Sequence, residues 1–216
     1  MSQMLSMIVY SDVVCPWCYV GKRRLEAARA FAGMPDVRLL WRPFELNPEL
    51  PAGGVDRKVY RAAKFGPAQS AVRDARMTEI GRACNIAFAF ERVLRTPNTR
   101  LAHRLIWEAD RQSCQDEVVE RLFRGYFEEG REIGARHVLE DIAAEAGMER
   151  AAAHRALGDD VSLAAVVALE HEGLQRGISG VPFFLLPGAT VVTGAQSPEF
   201  WHARLGRTQI AGSAPA

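Results

Sequence analysis

The chain has 216 residues, enough to bury a full core without staples and to hold one domain with an insertion or two small ones. Apolar residues make up 48% and charged residues 25%, which excludes a disordered or fibrous chain. A net charge of +1, from 27 Lys and Arg against 26 Asp and Glu, gives no electrostatic reason to expect nucleic acid or anionic lipid as a partner, although a local patch remains open.

The first residues, Met1 to Met7, lack a basic segment and a long apolar core, so no signal peptide is expected and the protein reads as cytoplasmic. The longest apolar runs are strand-length, so no membrane span is expected. From Leu5 to Phe44 the pattern is strand, helix, strand. Met7-Ile8-Val9-Tyr10 leads into Cys15-Pro16-Trp17-Cys18, which opens a segment of helical periodicity. Cys18, Gly21, Leu25 and Ala28 share one face, Lys22, Arg23, Glu26 and Arg29 lie mostly opposite, and Gly33 with Pro35 ends the helix. Val37 to Trp41 resumes as a strand, so one crossover implies two parallel strands under a helix.

A Pro- and Gly-rich stretch, Asn47 to Gly54, opens a long helical region. Three stripes at helical spacing read as the core faces of a small bundle: Leu101 to Ala109, Val118 to Phe127 and Val138 to Ala146. Strand character returns at Phe183-Phe184-Leu185-Leu186, which Pro187-Gly188 joins to Thr190-Val191-Val192-Thr193 as a hairpin. Ser197 and Pro198 start a last helix. The expected fold is α/β, a sheet domain formed by residues 1–48 and 165–216, with 49–164 as an inserted helical domain.

The placement of Cys15 and Cys18 carries the chemistry. A thiol at a helix N-terminus faces unpaired backbone N–H groups and the positive end of the helix dipole, which favours the thiolate. Pro16 suits the first helical position, where its missing N–H costs nothing. Cys18 lies one turn along the same face, within disulfide reach. Cys15 is therefore the expected nucleophile, exposed at the helix tip, and Cys18 the shielded, resolving thiol with the higher pKa. Cys84 and Cys114 read as small apolar residues in helices. A zinc site is not expected, because a second closely spaced pair is absent.

Several stretches together resemble the DsbA-like group of the thioredoxin superfamily, which carries a helical domain inserted in a thioredoxin fold, and within it the FrnE-like branch. They are Asp12 to Lys22, Trp41 to Pro48, Asn98 to Arg104, Gly180-Val181-Pro182-Phe183-Phe184 and Gly194-Ala195-Gln196. The resemblance implies a thiol–disulfide oxidoreductase acting on disulfide-containing proteins or small molecules, supplied by a thiol reductant. Glutathione is a candidate co-substrate, no cofactor is tightly bound, and the chain is a monomer or homodimer. It also implies that Pro182 follows a cis bond and lies against the cysteines, with the Val181 backbone meeting substrate. Taken alone, a Gly-Val-Pro unit at a strand entry fits either a cis turn or a trans proline starting the strand.

Trp17 stands where DsbA-type enzymes often carry His. Without that imidazolium the pair should be less oxidising than DsbA, between roughly −270 and −150 mV. Trp17 reads equally as a substrate contact and as packing. Asp12 reads as a tuning carboxylate or as a turn residue holding local N–H groups. Glu45 is a weaker candidate of the same kind. Gln196 and Ser197 fall where related glutathione-using proteins hold the γ-glutamyl end, and for Ser197 helix capping is the competing reading. His103 fits a helix-packing hydrogen bond. The alternative function is a glutathione-dependent isomerase or transferase resembling 2-hydroxychromene-2-carboxylate isomerase or kappa-class transferases. Serine usually replaces the first cysteine there, so the intact pair favours redox chemistry.

Overall fold

The computed structural model describes residues 5–211, with side chains through 206; Met1 to Met4, part of the segment read against a signal peptide, lie outside the described residues. Strand β1 (Leu5–Ser11), helix α1 (Pro16–Ala28) and β2 (Val37–Pro43) form the expected crossover. β1 pairs in parallel with β2, in the register Leu5 to Val37 through Ser11 to Pro43. The chain returns to the sheet at β5 (Phe183–Leu186), antiparallel to β1, and β6 (Thr190–Thr193) completes the order β2-β1-β5-β6. Flanked on both edges, β1 is central. Met7, Val9 and Tyr10 are all buried, which explains why its sequence is a continuous apolar run rather than an alternation.

Alternation along β5 then assigns the two faces. Phe184 pairs with Val9 and Phe183 with Tyr10. On the Phe184 side lies α1, whose Gly21 comes so close that a Cβ there would stand 3.2 Å from Pro182 Cγ and 3.5 Å from Phe184. α9 (Pro198–Ala211) packs on the same side, with Trp201 edge-on to Phe184 at 4.8 Å between ring centroids. Ser197 Oγ accepts the Phe200 N–H, the cap expected of it. On the Tyr10 side lies α8 (Asp160–Gln175), where a Cβ on Gly173 would sit 2.8 Å from the Tyr10 ring.

Between β2 and β5 helices and their connecting loops dominate, with a short ribbon of β3 (Val55–Asp56) and β4 (Arg95–Thr96) among them. Gly54 permits that ribbon. Its φ is +65°, and any Cβ would meet Thr96 O at 2.6 Å. α2 (Arg57–Phe65) and α3 (Pro67–Arg82) form a hairpin, followed by α4 (Arg100–Arg111), α5 (Gln115–Phe127), α6 (Arg136–Glu145) and α7 (Arg150–Gly158). The stripe on α5 is core, as are Leu105, Ile106 and Ala109 of α4 and Leu139, Ile142 and Ala143 of α6, while Leu101, Val138 and Ala146 at the stripe ends are partly buried against it. One continuous core joins these helices to the sheet, with Phe123 against Trp41. Residue 165, read as the point of return to the sheet domain, falls inside α8, a helix whose cap Asp159 accepts the Ser162 N–H.

One local reading needs correction. α1 stops at Ala28, not at Gly33, because tight i to i−3 turns from Arg29 to Phe31 close its end. Lys22, placed opposite the apolar face, is nevertheless only 2% exposed, held by Glu26, by Glu120 at 3.1 Å and by Asp116 at 3.3 Å. α1 is therefore covered on a second side by α5. Burial works against the Lys22 charge, yet the three carboxylates outweigh it and hold the ammonium above its usual range. Among the described residues, no helix is long and apolar enough to cross a membrane.

Candidate active site

β1 ends at Ser11, a turn over Asp12 to Val14 follows, and α1 begins. Cys15 is the residue immediately before the helix, in an extended conformation, with Pro16 at the first helical position. The Cys15 carbonyl accepts the N–H groups of Cys18 and Tyr19, so both thiols are fixed to the first turn. All four cysteines are free thiols. Cys15 is not the exposed thiol expected at the helix tip: it is itself buried, at 6% exposure, because the turn after β1 and the Val181 backbone close over it, and it only borders a cavity of about 510 Å³, whereas Cys18, 1% exposed, does not reach it. Burial pushes the Cys18 thiol well above the ordinary range and the adjoining Cys15 adds to this, while the Ser11 hydroxyl and the Asp12 main chain pull the other way.

The loop before β5 meets this tip. The Val181–Pro182 peptide bond is cis, and Cys15 Sγ donates to the Val181 carbonyl at 3.7 Å. Pro182 is buried against Gly21, one turn beyond the cysteines. Val181 thus touches the thiol through its backbone. Trp17, 39% exposed, lies on the cavity with Val14 and Pro16. Gln196 is not brought there; its amide donates to Thr193 O at 2.7 Å and closes the end of β6.

Asp12 is fully buried. Its carboxylate accepts the Leu46 N–H at 2.7 Å and the Val14 N–H at 3.4 Å, clamping the loop after β2 to the turn that carries Cys15. The local N–H reading was half the story. His103 of α4 is buried with Nε2 3.6 Å from Asp12 Oδ1, and that nitrogen makes no hydrogen bond, so the packing bond expected of it is missing there. Glu45 is ion-paired with Arg100, and its N–H donates to Glu170, which lies 3.6 Å from the same guanidinium. Burial and the Glu45 charge raise Glu170 to about 6.

The far wall of the cavity comes from α2 and α3 and was not foreseen from the sequence. It carries Arg57, Arg61, Lys64, Arg73 and Arg76, with Asp74 as the sole carboxylate among the lining residues. The signal was present as a basic stripe at Arg57, Arg61 and Lys64, spaced to share one helix face. Tyr60 and Phe65 interleave with it.

The DSBA-like thioredoxin domain model matches residues 6–206. The uncharacterized protein YwbO of Bacillus subtilis is 30% identical over 205 residues, covering 93% of this chain and 96% of that protein. The crystal structure of the probable DsbA oxidoreductase SCO1869 from Streptomyces coelicolor superposes with a TM-score of 0.85 at 29% identity, over 98% of this chain and 92% of that one. The cytosolic disulfide reductase DsbM of Pseudomonas aeruginosa, solved with GSH, shares the fold at 24% identity and a TM-score of 0.65, over 96% of this chain and all of its own. With a family model matched across almost its entire length, and two cysteines placed at the tip of the first helix, the chain belongs to the DSBA-like thioredoxin domain family.

Proposed function

We propose that the protein is a thiol–disulfide oxidoreductase that exchanges disulfides with protein or small-molecule substrates through Cys15 and Cys18. The observation that carries this is the unequal placement of the two thiols, one on the cavity and one sealed behind it. In the reductive direction the Cys15 thiolate attacks a substrate disulfide. A Cys15–substrate disulfide forms and one substrate thiolate leaves, taking a proton from solvent. Cys18 then gives up its proton and attacks Cys15 Sγ, forming the Cys15–Cys18 disulfide and expelling the second thiolate. Two electrons have passed to substrate, and a thiol reductant, glutathione among the candidates, restores the dithiol by the same exchange run backwards.

Val181 and Pro182 supply the surface on which an extended substrate would lie, the Val181 carbonyl releasing the Cys15 thiol as exchange begins. The reading includes a cytoplasmic setting, where a dithiol of this kind stays reduced. Its test is turnover of a disulfide substrate driven by dithiothreitol. Wild-type protein should accelerate reduction well above the reductant alone, and Cys15→Ala should return the rate to that background. Unchanged turnover in Cys15→Ala removes Cys15 as nucleophile.

A further inference from the structure

The overall charge of +1 conceals a local concentration. Five cationic side chains and one carboxylate line the cavity that Cys15 opens into. That carboxylate, Asp74, is already shared by Arg57 and Arg61, each at 2.8 Å. Among the described residues Lys64 reaches only neutral oxygens, of Tyr60 at 2.7 Å and Asn47 at 3.2 Å. Arg73 stacks on Phe65 at 4.6 Å from the ring centroid, a ring that Arg61 also covers at 5.2 Å. Arg73 and Arg76 have no acidic partner among the described residues. Burial, and after it the charges of Arg57 and Arg73, hold the Arg61 guanidinium below its usual range in spite of Asp74.

Uncompensated guanidinium groups in a partly enclosed space attract carboxylates, and cations that rest on aromatic rings leave apolar surface beside them. A volume of about 510 Å³ suits a small molecule rather than a folded partner. We infer that the substrate disulfide of this site is a low-molecular-weight polyanion, whose carboxylates are held by the α2–α3 wall, chiefly Arg73 and Arg76, while its sulfur atoms lie against Cys15. This rests on the oxidoreductase reading and names its substrate class. The redox step is the one already written: the dianionic disulfide gains two electrons and leaves as two thiolates that take up protons, and the protein dithiol becomes a disulfide.

The test compares two compounds of matched shape, dithiodibenzoate and its neutral diamide, and beside them an acidic peptide closed by a disulfide, on the pre-reduced full chain. Rate constants are divided by those of a simple free thiol, which removes differences in intrinsic reactivity. At low ionic strength the dianion should exceed the diamide by about tenfold, and the advantage should shrink as salt shortens the Debye length to a few ångströms. Exchanging both exposed arginines, Arg73→Glu with Arg76→Glu, should reduce the dianion-to-diamide ratio by about tenfold, and the Gln pair should give an intermediate value. A ratio near one in the wild type, or one that survives both pairs of substitutions, overturns the inference. So does a peptide that outruns the dianion and loses its rate in the Glu pair, which would reassign the wall to protein substrates. Calorimetry with a non-reducible thioether, (methylthio)benzoate against its amide, separates this claim from the redox one. Charge-selective binding without disulfide turnover supports the anion site and discards the oxidoreductase reading, whereas turnover with equal binding of acid and amide discards the anion site alone.

Discussion

At Cys15 the chain leaves the turn after β1 and enters α1, and this single step divides the labour between two chemically identical side chains. Cys15 borders the cavity and donates to Val181, while Cys18 is sealed and its thiol is held well above the ordinary range. Because a raised thiol pKa leaves little thiolate at neutral pH, Cys18 should resist alkylation there and react only as the medium becomes alkaline. Brief iodoacetamide treatment followed by peptide mass spectrometry should modify Cys15 at least about tenfold faster than Cys18 at pH near 7. Equal labelling of the two would remove the distinction. Of the residues singled out from sequence, Cys15 and Cys18 are placed at the helix tip by the motif itself, whereas the meeting of Val181 and Pro182 with them was legible only through the family resemblance, since a Gly-Val-Pro unit alone fits a cis or a trans bond. The place of Gln196 was not legible, since its amide is taken by Thr193 and only the folded hairpin reveals that.

At the scale of elements, α1 was readable as a helix but not as one buried on two sides. A periodicity argument assumes one apolar face, and a lysine satisfied by three carboxylates looks the same in sequence as a lysine in water. Lys22 ties α1 to α5 through Asp116 and Glu120. Neighbouring Tyr19 adds a hydrogen bond to Glu128 at 2.6 Å. Removing the ammonium leaves Glu26, Glu120 and Asp116 facing one another with less compensation. Since these carboxylates keep some solvent contact, Lys22→Ala should cost about 2–3 kcal/mol rather than the larger loss of a fully enclosed pair. For a chain of this size that is a fall in Tm of roughly 5–10 °C. Thermal unfolding followed by circular dichroism checks it, and a Tm within about 2 °C of wild type would show that the cluster contributes little. The basic wall of α2 is hidden in the sequence for a related reason. Its spacing was visible, but nothing local places that face across a cavity from Cys15.

At the scale of the molecule, the four strands of the main sheet, the crossover, the terminal hairpin and the three helical stripes followed from periodicity and turn residues, whereas the two-residue strands of the β3–β4 ribbon, too short to show a period, and tertiary pairings among charged groups did not. Glu170 of α8 is an example, meeting Glu45 and Arg100 from a distance of more than fifty residues in the chain. Its value of about 6 in the folded state exceeds the ordinary 4.5, so the folded form holds its proton more tightly than the unfolded form. The corresponding stability is complete below pH 4.5 and is lost as the pH rises through about 6. Glu170→Gln, which keeps an oxygen for the Glu45 N–H, should flatten that part of the stability profile and raise Tm modestly above pH 6. Urea midpoints measured across this window decide it; a profile unaltered by the substitution would mean that Glu170 ionises freely.

Exchange through this site requires Cys15 to attack and Cys18 to resolve, and mixed-disulfide trapping addresses that directly. Cys18→Ser and Cys15→Ser proteins would be recovered from cells under acid quench, and adducts located by mass spectrometry of the intact chain and its peptides. Cys18→Ser should accumulate adducts at Cys15, because the attacking thiol remains and the resolving one is gone, while Cys15→Ser should carry none at Cys18. Adducts at Cys18 in Cys15→Ser, with Cys18→Ser clean, would contradict the account.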